Sequence, residues 1–128
     1  MEPPGWNSLM DLAYRASIIV SVLLFLYYGL SCLFSDGMMA EFRRFGLSRF
    51  RRLTGSLEVM GALGLLAGFL VPIFTLLASA GLALLMLLGV FTRVRVGDSA
   101  LETLPAVILL GMNVFIFLYA LGMGGATG

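Results

Sequence analysis

The chain is dominated by apolar stretches almost free of charge, and those stretches decide what it can fold into. No Asp, Glu, Lys or Arg falls between Arg15 and Asp36, and between Leu53 and Thr92 the single charge is Glu58. A helix needs roughly 20 apolar residues to cross a hydrocarbon core of about 30 Å. The second stretch is about twice that, and one straight helix through it would run about 60 Å at about 1.5 Å per residue. Pro72 lies near its middle, preceded by Val71. Proline lacks a backbone donor and pushes the residue before it out of helix. The stretch therefore reads as two spans joined by a tight turn. A last run, Leu104 to Leu121, precedes a Gly-rich tail. The fold class is all-α: an integral membrane four-helix bundle, up-down-up-down, in one membrane domain over 1–128. Its spans are expected at about 12–34, 54–71, 73–94 and 104–121.

Composition agrees and narrows the function classes. Hydrophobic residues make up 60% and charged residues 12%, against about 45–50% and about 25% in a soluble domain. A soluble globule, a disordered chain and a nucleic-acid binder are excluded. There is no His, so the usual general base and proton switch are missing. One Cys rules out an intramolecular disulfide. The first span lacks a basic leader, is long for a signal peptide and has no A-x-A site after it, so it is read as retained. Trp6, in a polar stretch beside that span, suits the headgroup layer.

All eight basic residues are Arg, which fits a GC-rich bacterial genome and so a bacterial inner membrane. Arg43, Arg44, Arg49, Arg51 and Arg52 lie between spans one and two, and Arg93 and Arg95 between spans three and four; Arg15 alone lies on the other side. The positive-inside rule puts both Arg loops in the cytoplasm and both termini in the periplasm. In the first loop Met38, Met39, Phe42, Phe45, Phe50 and Leu53 recur at spacings near three and four, with arginines and Glu41 between them and a bend at Gly46. This reads as an interfacial amphipathic helix, phenyl rings toward lipid and guanidinium groups toward phosphate. Anchoring weighs more than partner docking here.

Helices in lipid associate through small residues and interhelical hydrogen bonds. Gly61, Gly64 and Gly68 share a face of span two, and Thr75, Ser79 and Ala83 share one of span three; these faces are expected to press together. Glu58 is the most informative polar residue. A carboxylate on the lipid side costs about 2.5–3.5 kcal/mol at mid-membrane, so it should face the bundle. A structural ion pair with Arg52, Arg93 or Arg95 is favoured over a ligand-binding role. Asn113 is expected to hydrogen-bond a neighbouring helix, with a ligand cavity as the alternative. Tyr27 and Tyr28 are either interfacial belt residues or the cap of a pocket. Cys32 reads as a small buried hydrophobe. The tentative ligand set is Glu58, Tyr28 and Asn113. No catalytic set, metal-ligand grouping or nucleotide-binding loop is present in the sequence.

The stretch Arg52-Leu-Thr-Gly55-Ser-Leu-Glu58-Val-Met-Gly61 resembles the R-x-x-G-x-x-E-x-x-G signature opening the second span of DoxX-like membrane proteins. Arg15 and Gly29 in span one, Phe45-Gly46-Leu47 before span two, the proline between spans two and three, and Gly89-Val-Phe-Thr92-Arg-Val-Arg-Val-Gly97-Asp98 followed by Pro105 fit the same pattern. The resemblance covers roughly residues 12–121. One departure is Leu30-Ser31-Cys32, where many members carry a Lys. The resemblance implies a four-helix membrane bundle. Relatives include a membrane subunit associated with thiosulfate:quinone oxidoreduction and helpers of larger membrane assemblies. Two functions therefore stand: an accessory or assembly subunit of a larger membrane complex, and a quinone-binding subunit of an oxidoreductase. A transporter has little support, since one buried charge is a thin path. No cofactor is evident, with quinone the candidate; the partners are the bilayer and another membrane protein. The orientation is directly testable: a C-terminal phosphatase fusion should be active and a fluorescent-protein fusion dark, and the reverse would overturn it.

Overall fold

The computed structural model describes residues 6–127, and side chains from Leu9 to Gly122. The Trp6 side chain, expected in the headgroup layer, lies outside that range. The described residues form five α-helices: α1 (Trp6–Phe34), α2 (Asp36–Phe45), α3 (Arg51–Ala67), α4 (Pro72–Arg95) and α5 (Ala100–Thr127), with a 3-10 turn at Ser48–Phe50 before α3. There is no strand among them.

Three segments are long and apolar enough to cross a membrane: Leu9–Phe34, Pro72–Arg95 and Ala100–Gly122. The helix over the expected second span, α3, is shorter, at 17 residues. It stops at Ala67 because the chain must prepare for Pro72. Val71 is extended, at φ −127 and ψ 101, as the residue before proline prefers. Pro72 then opens α4, where a first-turn position asks for no backbone donor. The last helix begins earlier than residue 104. Ser99 Oγ accepts from the Glu102 amide at 3.2 Å, and Glu102 Oε1 accepts from the Ser99 amide at 3.2 Å. This reciprocal capping box holds the first turn, one turn ahead of Pro105.

The four long helices close into a ring: α1 packs on α3 and α5, and α4 packs on α3 and α5. Neighbours run antiparallel. Tyr14 meets Tyr119 with ring centroids 4.6 Å apart while Asn113 Nδ2 donates to Ser21 Oγ at 3.4 Å, so α1 ascends as α5 descends. Ile18, Val22 and Phe25 of α1, at spacings four and three, fill the centre with Leu65, Leu82 and Ile116. The outer surface is apolar as well: Leu23, Met60, Leu77 and Leu118 are each more than half exposed. Such a surface belongs against acyl chains, not water.

Two glycine contacts set the helix spacing. A methyl group added at Gly55 would lie 2.8 Å from the Gly29 carbonyl oxygen and 2.9 Å from Cys32 Cβ; one at Gly29 would lie 2.8 Å from Val59 Cγ2. The backbones of α1 and α3 therefore cross in near contact, as small residues permit in membranes. On the other side of α3, Gly61 faces Leu82, Gly64 faces Ala78 and Gly68 faces Thr75. The glycine face does meet α4, but along Thr75, Ala78 and Leu82, not along Thr75, Ser79 and Ala83. Ser79 instead turns its hydroxyl onto the Thr75 carbonyl of its own helix at 2.7 Å. Gly55→Ala should lower the melting temperature in detergent, with overpacking costing about 1–3 kcal/mol. Gly111→Ala, where a methyl meets nothing within 4 Å, should not. Equal melting of the two variants would contradict the close crossing.

Candidate ligand cavity and its lid

The α1–α3 crossing delivers Glu58 to the inside of the bundle. Its residue is 5% exposed, and Gly55, one turn earlier, is buried against α1. Opposite it on α1 sits Cys32, 1% exposed, whose thiol donates to Glu58 Oε2 at 3.8 Å. A thiol is a weak donor, so the carboxylate is lightly held.

The expected ion pair is not formed. Among the described residues no salt bridge involves Glu58, and each proposed cation is engaged elsewhere or turned away. Arg52, six residues before Glu58, points off the buried face and is exposed. Arg93 Nη1 donates to Asp98 Oδ2 at 3.0 Å, and Arg95 Nη2 donates to the Phe45 carbonyl at 3.1 Å. Arg51 donates to the Cys32 and Leu33 carbonyls at 2.6 and 2.9 Å. Those are last-turn acceptors of α1 without a helical partner, so a guanidinium there caps the helix and suits its dipole.

Helix α2 lies across the Arg-bearing end of the ring. Ser35 Oγ accepts from the Met38 amide at 3.4 Å and caps its start. Gly46, at φ +75, ends it: the Gly46 amide bonds the Arg43 carbonyl at 3.0 Å and the Leu47 amide bonds Phe42 at 2.9 Å. This is a Schellman motif, which needs the left-handed conformation that glycine adopts freely. Helix α4 ends the same way at Gly97, φ +83, with the Asp98 amide on the Arg93 carbonyl at 2.9 Å. That turn brings the Asp98 side chain back over the helix end. Arg44 of α2 grips it with two bonds, Nη1 to Oδ1 at 2.7 Å and Nη2 to Oδ2 at 3.1 Å, while Arg93 adds its own. Glu41 also accepts from Arg44 at 2.7 Å. Both guanidinium groups stand over the Phe45 ring, at 4.9 and 5.3 Å from its centre. The loop helix thus differs from the sequence expectation in one respect. Phe42 and Phe45 are buried within the protein, and Phe50, at 38%, is the exposed ring.

Beneath this lid is a cavity of about 490 Å³, within the roughly 300–1,000 Å³ usual for small-molecule sites. Its walls are mostly apolar: Phe42, Phe45, Leu85, Met86, Ala106 and Leu109 among them, with Glu58, Cys32, Tyr28, Thr54, Thr92, Arg93 and Glu102 as polar members. The two adjacent tyrosines part company. Tyr28 lines the cavity, while Tyr27 is 65% exposed on the outside. Of the tentative ligand set the cavity unites Glu58 and Tyr28. Asn113 is not in its wall; it is fully buried and donates to Ser21 and, at 2.9 Å, to the Leu109 carbonyl of its own helix. Sequence reasoning missed Cys32, which only tertiary packing brings to Glu58, and Asp98. The signal for Asp98 was available, since an acidic residue in a second basic loop invites pairing with the first. A second space of about 470 Å³, on the outside between α3 and α4, is lined by Gly61, Gly64, Gly81 and leucines, and offers lipid an apolar groove. Among the described residues no group of three His, Cys, Asp or Glu could hold a metal ion.

Apolar outer helix faces and three segments long enough to span mark a multi-pass helical membrane protein. The chain belongs to the DoxX-like family, whose family model matches residues 16–115. The match contains the R-x-x-G-x-x-E-x-x-G stretch, and so both Gly55 and Glu58. No curated protein and no solved structure matches the chain.

The lid clamp has a calculable pH response. The hydrogen bonds from Arg44, and then those from Arg93, hold the Asp98 carboxyl below the usual carboxylate range, against an opposing effect of desolvation; the same contact with Asp98 raises Arg44. A carboxyl whose folded pKa is depressed stabilises the fold above its unfolded value, about 3.9, and loses that contribution as pH falls through the folded value. Amide exchange in α2, corrected for intrinsic rates, should therefore be flat from pH 7 to about 5 and quicken below about 4. Arg44→Ala should make α2 exchange faster already at pH 7. Unchanged protection in that variant would contradict the clamp.

Proposed function

We propose that the protein is a ligand-binding subunit of a larger membrane complex in the bacterial inner membrane, its cavity receiving the headgroup of a quinone-class molecule. In this reading all four long helices cross the bilayer up-down-up-down, with α3 completed by its flanking turns. Helix α2 lies at the cytoplasmic interface and both termini are periplasmic. The observation that carries the reading is the cavity itself. It sits at the Arg-bearing end, where an amphiphile can enter from one leaflet. Apolar and aromatic walls surround a few convergent polar groups, chiefly Glu58 and Tyr28, the combination expected of a small-molecule site. The space matches a substituted ring, with the isoprenoid tail left to the bilayer.

The role as an accessory or assembly subunit has its own support. Gly81 and Gly111 are on exposed positions of α4 and α5, and a methyl group added at either would meet nothing within 4 Å. Small residues on outer faces leave room for a partner's helix. The two roles are compatible, since a small subunit can hold the ligand that its partner turns over.

Decylubiquinone added to the purified protein should raise its melting temperature. At a hundredfold excess over Kd the stabilisation is about 2.7 kcal/mol. Ala106→Phe, which fills the cavity from a half-buried wall position, should weaken binding at least tenfold with the fold intact. Equal stabilisation of both proteins, or none of either, would contradict quinone binding in this cavity.

A further inference from the structure

Resting on the proposed reading of the cavity as a headgroup site, we infer that the outer groove between α3 and α4 seats the isoprenoid tail of the same molecule. The cavity and the groove form one continuous path, because they share wall residues. Leu57 of α3 and Leu85 and Leu88 of α4 line both. Leu57 is the chain neighbour of Glu58, so the path starts beside the polar end of the cavity.

The place of the mouth follows from which wall residues also face outward. Of the large apolar side chains on the cavity wall, Phe50, Leu53, Leu57 and Leu88 are exposed on the outside. The first three, at spacings three and four, lead into and along α3, and the fourth is on α4. The α1–α3 side is closed by the near contact of Gly29 and Gly55. The lid side is closed by the buried rings of α2 and its ion pair to Asp98. A tail attached to a seated ring therefore leaves between α3 and α4.

The groove suits a chain because Gly61, Gly64 and Gly81 line it without side chains. Along α4 it runs from Leu88 back to Phe74, about 21 Å at about 1.5 Å per residue, against a hydrocarbon core of about 30 Å. It thus descends through the bilayer, from the Arg-bearing end toward the turn at Pro72. A tail there has protein on one side and lipid on the other. Lipid is as apolar as leucine, so the gain is close packing and not escape from water. The headgroup supplies the selection, since two linked groups bind as one unit. With the tail in place, Gly111 on α5 is the small-residue face left for a partner's helix.

The test uses the whole protein in phosphatidylcholine nanodiscs and a decylubiquinone carrying a diazirine near the end of its tail. Irradiation should place adducts, mapped by mass spectrometry, between Met60 and Gly64 on α3 and between Ala78 and Leu84 on α4. Excess decylubiquinone should displace them. Adducts confined to other helices, adducts that are not displaced, or none at all overturn the inference. A second arm fills the groove. Gly81→Leu adds bulk at a lining position where a methyl group meets nothing within 4 Å, and Gly111→Leu adds the same bulk on α5. Gly81→Leu should weaken decylubiquinone binding at least fivefold. It should leave a ubiquinone with a single isoprenoid unit, whose tail ends near the mouth, within twofold. Gly111→Leu should change neither. Equal loss of both analogues in Gly81→Leu, or loss of neither, overturns the groove and leaves the headgroup reading intact. Failure of the unaltered protein to bind either analogue overturns both. Should Gly81→Leu fail to fold, the labelling of the unaltered protein decides alone.

Discussion

The near contact of two backbones, α1 at Gly29 and α3 at Gly55, governs most of what lies above it. Lipid supplies no hydrophobic drive between helices, so approach distance and polar pairing decide how they associate. At this crossing the absence of two side chains lets the helices close. Closing them turns Glu58 inward, one turn from Gly55, and seats it against Cys32. The same register places Arg51 where it can cap the last carbonyls of α1. A methyl group on either glycine would move the carboxylate, the thiol and the cap together.

The Arg-bearing end is built on a different principle. Its arginines do several jobs. Two bind carboxylates, two bind helix-terminal carbonyls, and Arg43, Arg49 and Arg52 are exposed at the surface. The clamp of Arg44 and Arg93 on Asp98 joins the loop before α3 to the loop after α4, so the lid is tied to the far side of the ring. An exposed surface pair is worth little, but here Asp98 is only 5% exposed and is gripped from two sides in fork geometry. The lid therefore closes over the cavity through charge as well as through the buried Phe42 and Phe45 rings.

Much of this was legible in the residues, and the failures are instructive. Uncharged runs announced the long helices, and Val71-Pro72 announced the turn, because both follow from local chemistry. The R-x-x-G-x-x-E-x-x-G stretch pointed to the DoxX-like family, which the match over residues 16–115 shows. Glu58 was placed inside from the cost of exposing it to lipid, yet its partner was misjudged. Membrane depth alone put Arg93 within reach, whereas the Schellman turn at Gly97 handed that arginine to Asp98. Cys32 could not be assigned to Glu58 from spacing, since their encounter depends on helix register across 26 residues. The Ser99–Glu102 capping box was visible as S-x-x-E and would have placed the start of α5 correctly. The phenyl rings of α2 were assigned to lipid because an amphipathic pattern does not say what covers its apolar face; here the protein covers much of it.

Native mass spectrometry of the protein released directly from quinone-containing membranes tests the ligand role of the cavity most directly. A quinone-class mass bound one to one is expected, retained after lipid adducts are stripped and absent when the cavity is filled by a bulky side chain. Bare protein emerging from such membranes, or the same adduct on the cavity-filled variant, would contradict it.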